Sequence, residues 1–372
     1  MSAEATWPPP EFATQPALRA RLRRRARGLG LKARTRAELA RWRPRLRARL
    51  REITGLDSFR PVPLAPRLDR PVRCEGYTRT RATICTEAGV RMPFFILVPD
   101  GVDVRHPAAA VIAPHGHGSG GKVAVCGVAD RPEIAEAIER YNYAYGVALV
   151  RRGFLVFAPD ARGFGERREV NVAPAHLSGS CQHLSNMALP LGCTVTGMWT
   201  FDLMRLVDYI LTRGDVLVAG GPKIGCAGLS GGGLQALWLA ALDDRIAAAV
   251  VSGYFYGYGQ SLFEMHLNCA CNYVPHLYEV ADMGDLGALI APRPLLIETG
   301  DRDGLNGAGG LSNVRSQVVI ARRAYRLAGA PRNFVHDIFE GGHKWHGQAA
   351  VPFLQQHLQP RASNVPLRGS AG

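Results

Sequence analysis

Long apolar runs are missing from this 372-residue sequence, lysine is scarce, and no export signal is expected in it. A membrane helix needs roughly 18 or more apolar residues in a row. Apolar stretches such as 234–242 are much shorter, so no membrane span is expected. The arginines between 19 and 27 are followed by Gly28-Leu29-Gly30-Leu31-Lys32 and more arginine, not by an apolar segment. Neither a secretory nor a twin-arginine signal is expected from that pattern. The eight cysteines, at 74, 85, 126, 181, 193, 226, 269 and 271, are too scattered for the disulfide framework of a small secreted domain. A reducing, cytoplasmic setting is the expectation. No internal repeat is visible. Four of the 45 basic residues are lysines (Lys32, Lys122, Lys223 and Lys344) and the rest are arginine, a skew consistent with codon bias.

A net charge of +14 at first suggests nucleic acid or an anionic surface as partner. Its distribution argues otherwise: residues 1–60 hold fifteen Arg and one Lys against four Glu and one Asp, which is +11 and leaves +3 for everything else. Aromatic residues to interleave with bases are scarce there, Trp42 standing alone in the helical part. Residues 1–16 are proline-rich and read as loose. Thr35 and Glu38 have capping-box spacing, and Leu39, Trp42, Leu46, Leu50 and Ile53 then recur at helical intervals. An arginine-coated amphipathic helix laid against the main domain is expected, with Pro44 kinking or restarting it. A polyanion-binding arm is the competing reading.

From about residue 77 the pattern changes. Short segments rich in β-branched and aromatic residues, at 77–86, 92–98, 108–113, 154–158, 224–227, 247–252, 294–299 and 333–339, alternate with helical candidates such as 199–213, 233–242 and 313–328. That alternation predicts an α/β fold: a mostly parallel central sheet of about eight strands covered by helices on both faces. The chain divides into an arginine-rich helical extension (1–75), a catalytic domain (76–360) and a loose tail (361–372).

Gly228-Leu229-Ser230-Gly231-Gly232 matches G-x-S-x-G, with the strand 224–227 before it and a helix opening at Gly233 after it. In this context the turn is so tight that flanking side chains would collide, and it exposes a strained serine above the sheet. A serine hydroxyl is a poor nucleophile until a histidine takes its proton and an acid orients that histidine. Asp303 follows the strand 294–299, and His343 follows the strand 333–339 in the loop Gly341-Gly342-His343. A parallel sheet would bring these strand ends to one edge. Ser230, Asp303 and His343 are therefore the expected triad, with Asp301 as the alternative acid and His346 as the alternative base. The oxyanion needs backbone donors. Gly231 N–H is expected to be one and His117 N–H, in Pro114-His115-Gly116-His117-Gly118, the other.

These residues, with Asp160-Ala161-Arg162-Gly163-Phe164-Gly165 and Ala291-Pro292-Arg293-Pro294, resemble the α/β-hydrolase superfamily in its acetyl xylan esterase and dienelactone-hydrolase-like branch, over about residues 76–358. The resemblance implies an α/β-hydrolase fold and serine carboxylesterase chemistry on short acyl or acetyl esters, with no cofactor and no metal. Two positions depart from it: Glu166, where relatives often carry Ser, and Gly304, where many have Pro. The substrate would be a small-molecule or carbohydrate ester. Nucleic acid and membrane are not expected as partners, and a homo-oligomer is compatible with the sequence. An amidase or peptidase of the same fold, or a noncatalytic hydrolase-like protein using its basic arm, are the alternatives.

Three further patterns compete for attention. Gly116 to Lys122 fits most of a P-loop, but Val123 stands where the magnesium-binding Ser or Thr belongs. His266, Cys269, Cys271 and His276 suggest a metal site, yet Cys-x-Cys is closer than usual zinc spacing, so a buried, thiol-lined lid is expected; His115 and His117 pose the same question. Tyr254, Phe255, Tyr256 and Tyr258 read equally well as pocket lining or as packing.

Overall fold

The computed structural model describes residues 12–218, 220–265 and 268–359. Residues 1–11 of the proline-rich start, and the tail 361–372, lie outside them. The described strands are β1 (Arg67–Leu68), β2 (Val72–Cys74), β3 (Tyr77–Glu87), β4 (Val90–Pro99), β5 (Ala110–Ile112), β6 (Leu155–Pro159), β7 (Ile224–Leu229), β8 (Ile246–Ser252), β9 (Leu295–Gly300) and β10 (Phe334–Phe339). The helices are α1 (Gln15–Arg25), α2 (Arg36–Thr54), α3 (Lys122–Val125), α4 (Pro132–Tyr141), α5 (Tyr145–Val150), α6 (Cys181–Ala188), α7 (Val195–Leu211), α8 (Gly231–Leu242), α9 (Leu277–Val280), α10 (Met283–Ile290), α11 (Leu311–Leu327) and α12 (Ala350–Leu358).

One sheet runs in the order β1-β3-β4-β6-β5-β7-β8-β9-β10, with β2 also pairing β3. From β6 to β10 every pairing is parallel, and β3 and β4 join antiparallel at the other side. The eight expected strands are all present; the two extra ones, β1 and β2, are short and exposed and carry no apolar alternation a sequence reading could detect.

Both faces are covered, and the strands show why. In β5 Ala110 and Ile112 join the core on one side and Val111 the core on the other; Leu155 and Phe157 alternate with Val156 in β6, and Leu295 and Ile297 with Leu296 in β9. Such strands read as continuous apolar runs because neither face meets water. Burying each Leu or Phe stabilises the fold by roughly 1.5–3 kcal/mol.

Helix α2 begins as expected: Thr35 Oγ1 accepts the Glu38 N–H at 3.2 Å and Glu38 returns the contact to Arg34 N–H at 2.6 Å. It passes through Pro44 without a break. The loss of one hydrogen bond there is outweighed by burial of Leu39, Leu46, Leu50 and Ile53 against the body. Its arginines find acids and carbonyls of that body: Arg47 pairs with Asp244 and bonds Ala241 O at 3.0 Å, and upstream Arg27 grips buried Asp285 with two contacts of 2.8 Å. No helix among the described residues is long and apolar enough to cross a membrane.

Candidate active site

Ser230 sits between β7 and α8 at φ 59° and ψ −120°, a conformation a serine adopts only under constraint. Its N–H donates to Ser252 O at 2.9 Å, and its carbonyl accepts from Leu234 in the first turn of α8. The glycines are sterically required. A Cβ on Gly228 would lie 2.5 Å from the Gly232 carbonyl, and one on Gly232 would lie 2.2 Å from Pro114 O. Ser230 thus stands at the positive end of a helix with its hydroxyl beside a cavity of ≈ 250 Å³.

The second contact explains how the Pro114–Gly118 loop is placed. A Cβ on Gly116 would meet Leu229 O at 2.6 Å and Ser230 Cβ at 3.0 Å, so the loop lies directly on the serine turn. Tyr143 donates its hydroxyl to His117 O at 2.8 Å, and Gln235 donates to His115 O at 2.9 Å. His115 Nε2 accepts the Ala161 N–H at 3.1 Å while Nδ1 faces Gly116 O at 2.9 Å. Both nitrogens are used, which assigns the neutral ring protonated at Nδ1, and burial holds its pKa down. His115 is therefore a clamp on the loop and not a metal ligand.

Asp303, buried just past β9, places Oδ2 2.7 Å from His343 Nδ1 and accepts the Leu305 N–H on Oδ1. That pairing leaves His343 Nε2 free. The ring packs on Gly253, where a Cβ would come within 3.0 Å of His343 Cε1, and Gly253 follows the Ser252 whose carbonyl holds Ser230. Asp303 and His343 thus meet directly after β9 and β10, and His343 reaches the serine turn after β7 through Gly253. Asp301 instead accepts the Gly341 N–H at 2.8 Å, and His346 faces Asp337 and stacks on Phe339. Neither alternative touches the serine turn.

Two functional features escape a sequence reading. Glu298, buried inside apolar β9, accepts the Ser252 hydroxyl at 2.7 Å, His346 N–H at 2.9 Å and Gly347 N–H at 2.6 Å, and burial raises its pKa. A charged residue within Leu-Leu-Ile-Glu-Thr was the available signal. Likewise Asp160, wholly buried, takes Lys122 Nζ at 2.6 Å and the N–H groups of Lys122 and Glu166. Glu166, the departure from its relatives, meets Lys122 and Arg81. Burial alone would raise its pKa, but those partners bring it down to about 2. Lys122 is consumed by this buried network, so the P-loop-like segment presents no lysine to a phosphate.

Tyr254 and Tyr256 line the cavity with Ser230, Cys269 and Leu305, whereas Phe255 packs on α10 and Tyr258 on Tyr278. The aromatic run serves both suggested purposes. A larger cavity of ≈ 310 Å³ lies behind the His343 loop at Trp345 and His346, away from Ser230. Of the suspected metal residues, His276 bonds Glu279 on the surface and His266 lies outside the described residues. Cys269 and Cys271 instead meet Cys181 and His117.

The model of the Abhydrolase family matches residues 29–348. A Bacillus subtilis protein named as a hydrolase, YtaP, is 32% identical over 221 residues, which is 57% of this chain and 66% of that protein. The matched region thus spans just under two thirds of that relative. Among solved structures, a Bacteroides fragilis protein (BF1801) described as an acetyl xylan esterase superposes with a TM-score of 0.72 at 20% identity, covering 89% of this chain and 82% of that one. A glucuronoyl esterase from Solibacter usitatus does so at 0.64 and 15% identity, covering 89% and 97%. At those identities the likeness shows a shared α/β-hydrolase fold.

Proposed function

This chain belongs to the Abhydrolase family, and from that premise we propose that it is a serine carboxylesterase acting on short acyl or acetyl esters. The observation that carries the reading is the convergence of a strained Ser230, a His343 anchored by Asp303 and a glycine-lined loop on one edge of the sheet.

In the proposed mechanism Ser230 Oγ attacks the ester carbonyl while His343 Nε2 takes its proton, the Asp303 carboxylate holding Nδ1–H and stabilising the imidazolium. The oxyanion is held by the N–H groups of Gly231 and His117 at the amino end of α8, where the helix dipole adds to their effect. His343 then returns the proton to the leaving alcohol. Water attacks the acyl-enzyme by the same route and frees the acid. A cavity of ≈ 250 Å³ bounded by Tyr254, Tyr256 and Leu305 suits a small acyl group. The neighbour described as an acetyl xylan esterase supports a carbohydrate as the alcohol side, and the glucuronoyl esterase more broadly supports a carbohydrate ester.

The arm-binding alternative is disfavoured because arginines of the extension, Arg27 and Arg47 among them, are already engaged with the body. A reducing, cytoplasmic setting is part of the proposal, on the scatter of the eight cysteines along the sequence. The deciding experiment compares wild type with Ser230→Ala on p-nitrophenyl acetate and on aminoacyl anilides, alongside fluorophosphonate labelling. Ester turnover should fall by roughly 10⁴-fold or more in the variant. Unchanged turnover and no labelling of wild type would sink the mechanism, and a preference for anilides would make the protein an amidase.

A further inference from the structure

Beside the serine turn, four side chains from three distant parts of the chain converge. His117 of the Pro114–Gly118 loop, Cys181 at the start of α6, and Cys269 and Cys271 of the turn before α9 place one ligand atom each within 4.8 Å of all the others. Cys271 Sγ lies 3.3 Å from His117 Nε2. A tetrahedral zinc ion with Zn–S bonds of ~2.3 Å sets its thiolates about 3.8 Å apart, the scale of this cluster. We infer that the chain holds a structural Zn²⁺ on a Cys₃His set formed by His117, Cys181, Cys269 and Cys271.

The surroundings fit a metal better than an apolar thiol pocket. The three cysteines are unpaired, and Cys181 and Cys271 are buried. Asn272 Nδ2 approaches Cys271 Sγ at 3.6 Å and bonds Cys269 O at 3.0 Å, while Tyr254 donates to Asn272 Oδ1 at 2.7 Å. Amide donors that orient ligands and soften thiolate charge are the expected second layer of a zinc site. His117 aims Nε2 at the cysteines, so coordination would leave the proton on Nδ1, which faces Gly231.

Soft thiolates with one imidazole select zinc over oxygen-seeking cations. Four protein ligands close the coordination sphere, leaving no position for a reacting water. On binding, the three thiols become thiolates and their protons go to solvent. The ion would then tie the loop carrying the proposed oxyanion donor to α6 and to the 269–272 turn, whose Cys269 and Asn272 line the cavity. The assignment stands apart from the esterase reading, since metal content is measured without turnover.

The test uses the full chain, purified under reducing conditions with zinc present and then desalted. Wild type should retain about one zinc per chain, Cys85→Ser should retain as much, and Cys181→Ser and Cys269→Ser should each fall to roughly one-tenth or less. On folded wild type, exchange into Co²⁺ should produce thiolate-to-cobalt charge-transfer absorption and the d–d bands of a tetrahedral site, which keeps the test decisive if the serine variants do not fold. Wild type without zinc and without those bands overturns the proposal. So do Cys181→Ser and Cys269→Ser variants that keep full zinc. A disulfide among the three cysteines, with no metal uptake after reduction, overturns it in favour of a redox pair.

Discussion

The Ser252 hydroxyl donates to the buried Glu298 carboxylate at 2.7 Å, so β8, whose Ser252 carbonyl anchors Ser230, is joined through Glu298 to the loop that follows His343. The same carboxylate takes the N–H groups of His346 and Gly347. Glu298 touches no reacting atom; it positions His343. Replacing it by Gln turns one acceptor into a donor that must face Ser252, His346 or Gly347. The expected outcome is a stability loss of about 1–3 kcal/mol and a kcat reduced roughly tenfold at similar KM. Urea denaturation and ester kinetics measure both, and a Glu298→Gln protein equal to wild type in each would remove Glu298 from this role.

Asp303 and Asp301 lie two residues apart but do different work. Asp303→Asn should lower kcat by roughly 10⁴-fold, because the amide favours the wrong histidine tautomer. Asp301→Asn loses only the ionic character of the bond to Gly341 N–H and should keep kcat within a few-fold, at a stability cost of about 1 kcal/mol. Comparable losses of kcat in the two variants would contradict the assignment of the acid.

Gly116 leaves no room for a methyl group between Leu229 O and Tyr143 Oη, at 2.6 and 2.7 Å. Gly116→Ala should push the loop off the serine turn and lower kcat about 10²- to 10³-fold, the usual cost of a lost oxyanion donor. Gly118→Ala meets open space and pays only for its φ of +67°, about 1–2 kcal/mol of stability. Steady-state kinetics on the pair separates the two effects. The idea is wrong if Gly116→Ala is the more active of them.

Asp202 carries an acid-side dependence of stability. Burial by itself would raise its pKa, but the charges of Arg167 and Arg162 bring it to about 2 from an ordinary 3.8. A depressed pKa means that its stabilisation is complete above about pH 4 and is lost as the pH falls towards 2. The contribution is on the order of 2 kcal/mol. Asp202→Asn, which leaves both guanidinium groups without a charged partner there, should be about 3–5 kcal/mol less stable at pH 7. It should also lack that part of the acid-induced loss. Denaturation curves at pH 7, 4 and 3 decide, and parallel pH profiles for the two proteins would refute the linkage.

Local chemistry made much of this protein legible in its sequence. A strand buried on both faces reads as a nearly continuous apolar run, so the segments that became β5 to β9 announced themselves, while β3, β4 and β10 showed by their β-branched and aromatic residues; the tight serine turn needs glycine at positions 228 and 232 whatever lies around it. Thr35 and Glu38 marked the start of α2 by the bonds they make with the backbone beside them. Other features depend on approaches between residues far apart in the chain. Asp303 rather than Asp301 became the partner of His343 because the loop after β9 turns one carboxylate inward and the other towards Gly341. Glu298 could be noticed as an oddity in its strand, but its three donors come from β8 and from the loop after His343. Cys181 is 88 residues from Cys269 and has no motif of its own. Only the packing of α6 against the 269–272 turn and the Pro114–Gly118 loop unites those thiols with His117, because metal-scale distances between separate segments are set by how the layers pack and not by spacing along the chain.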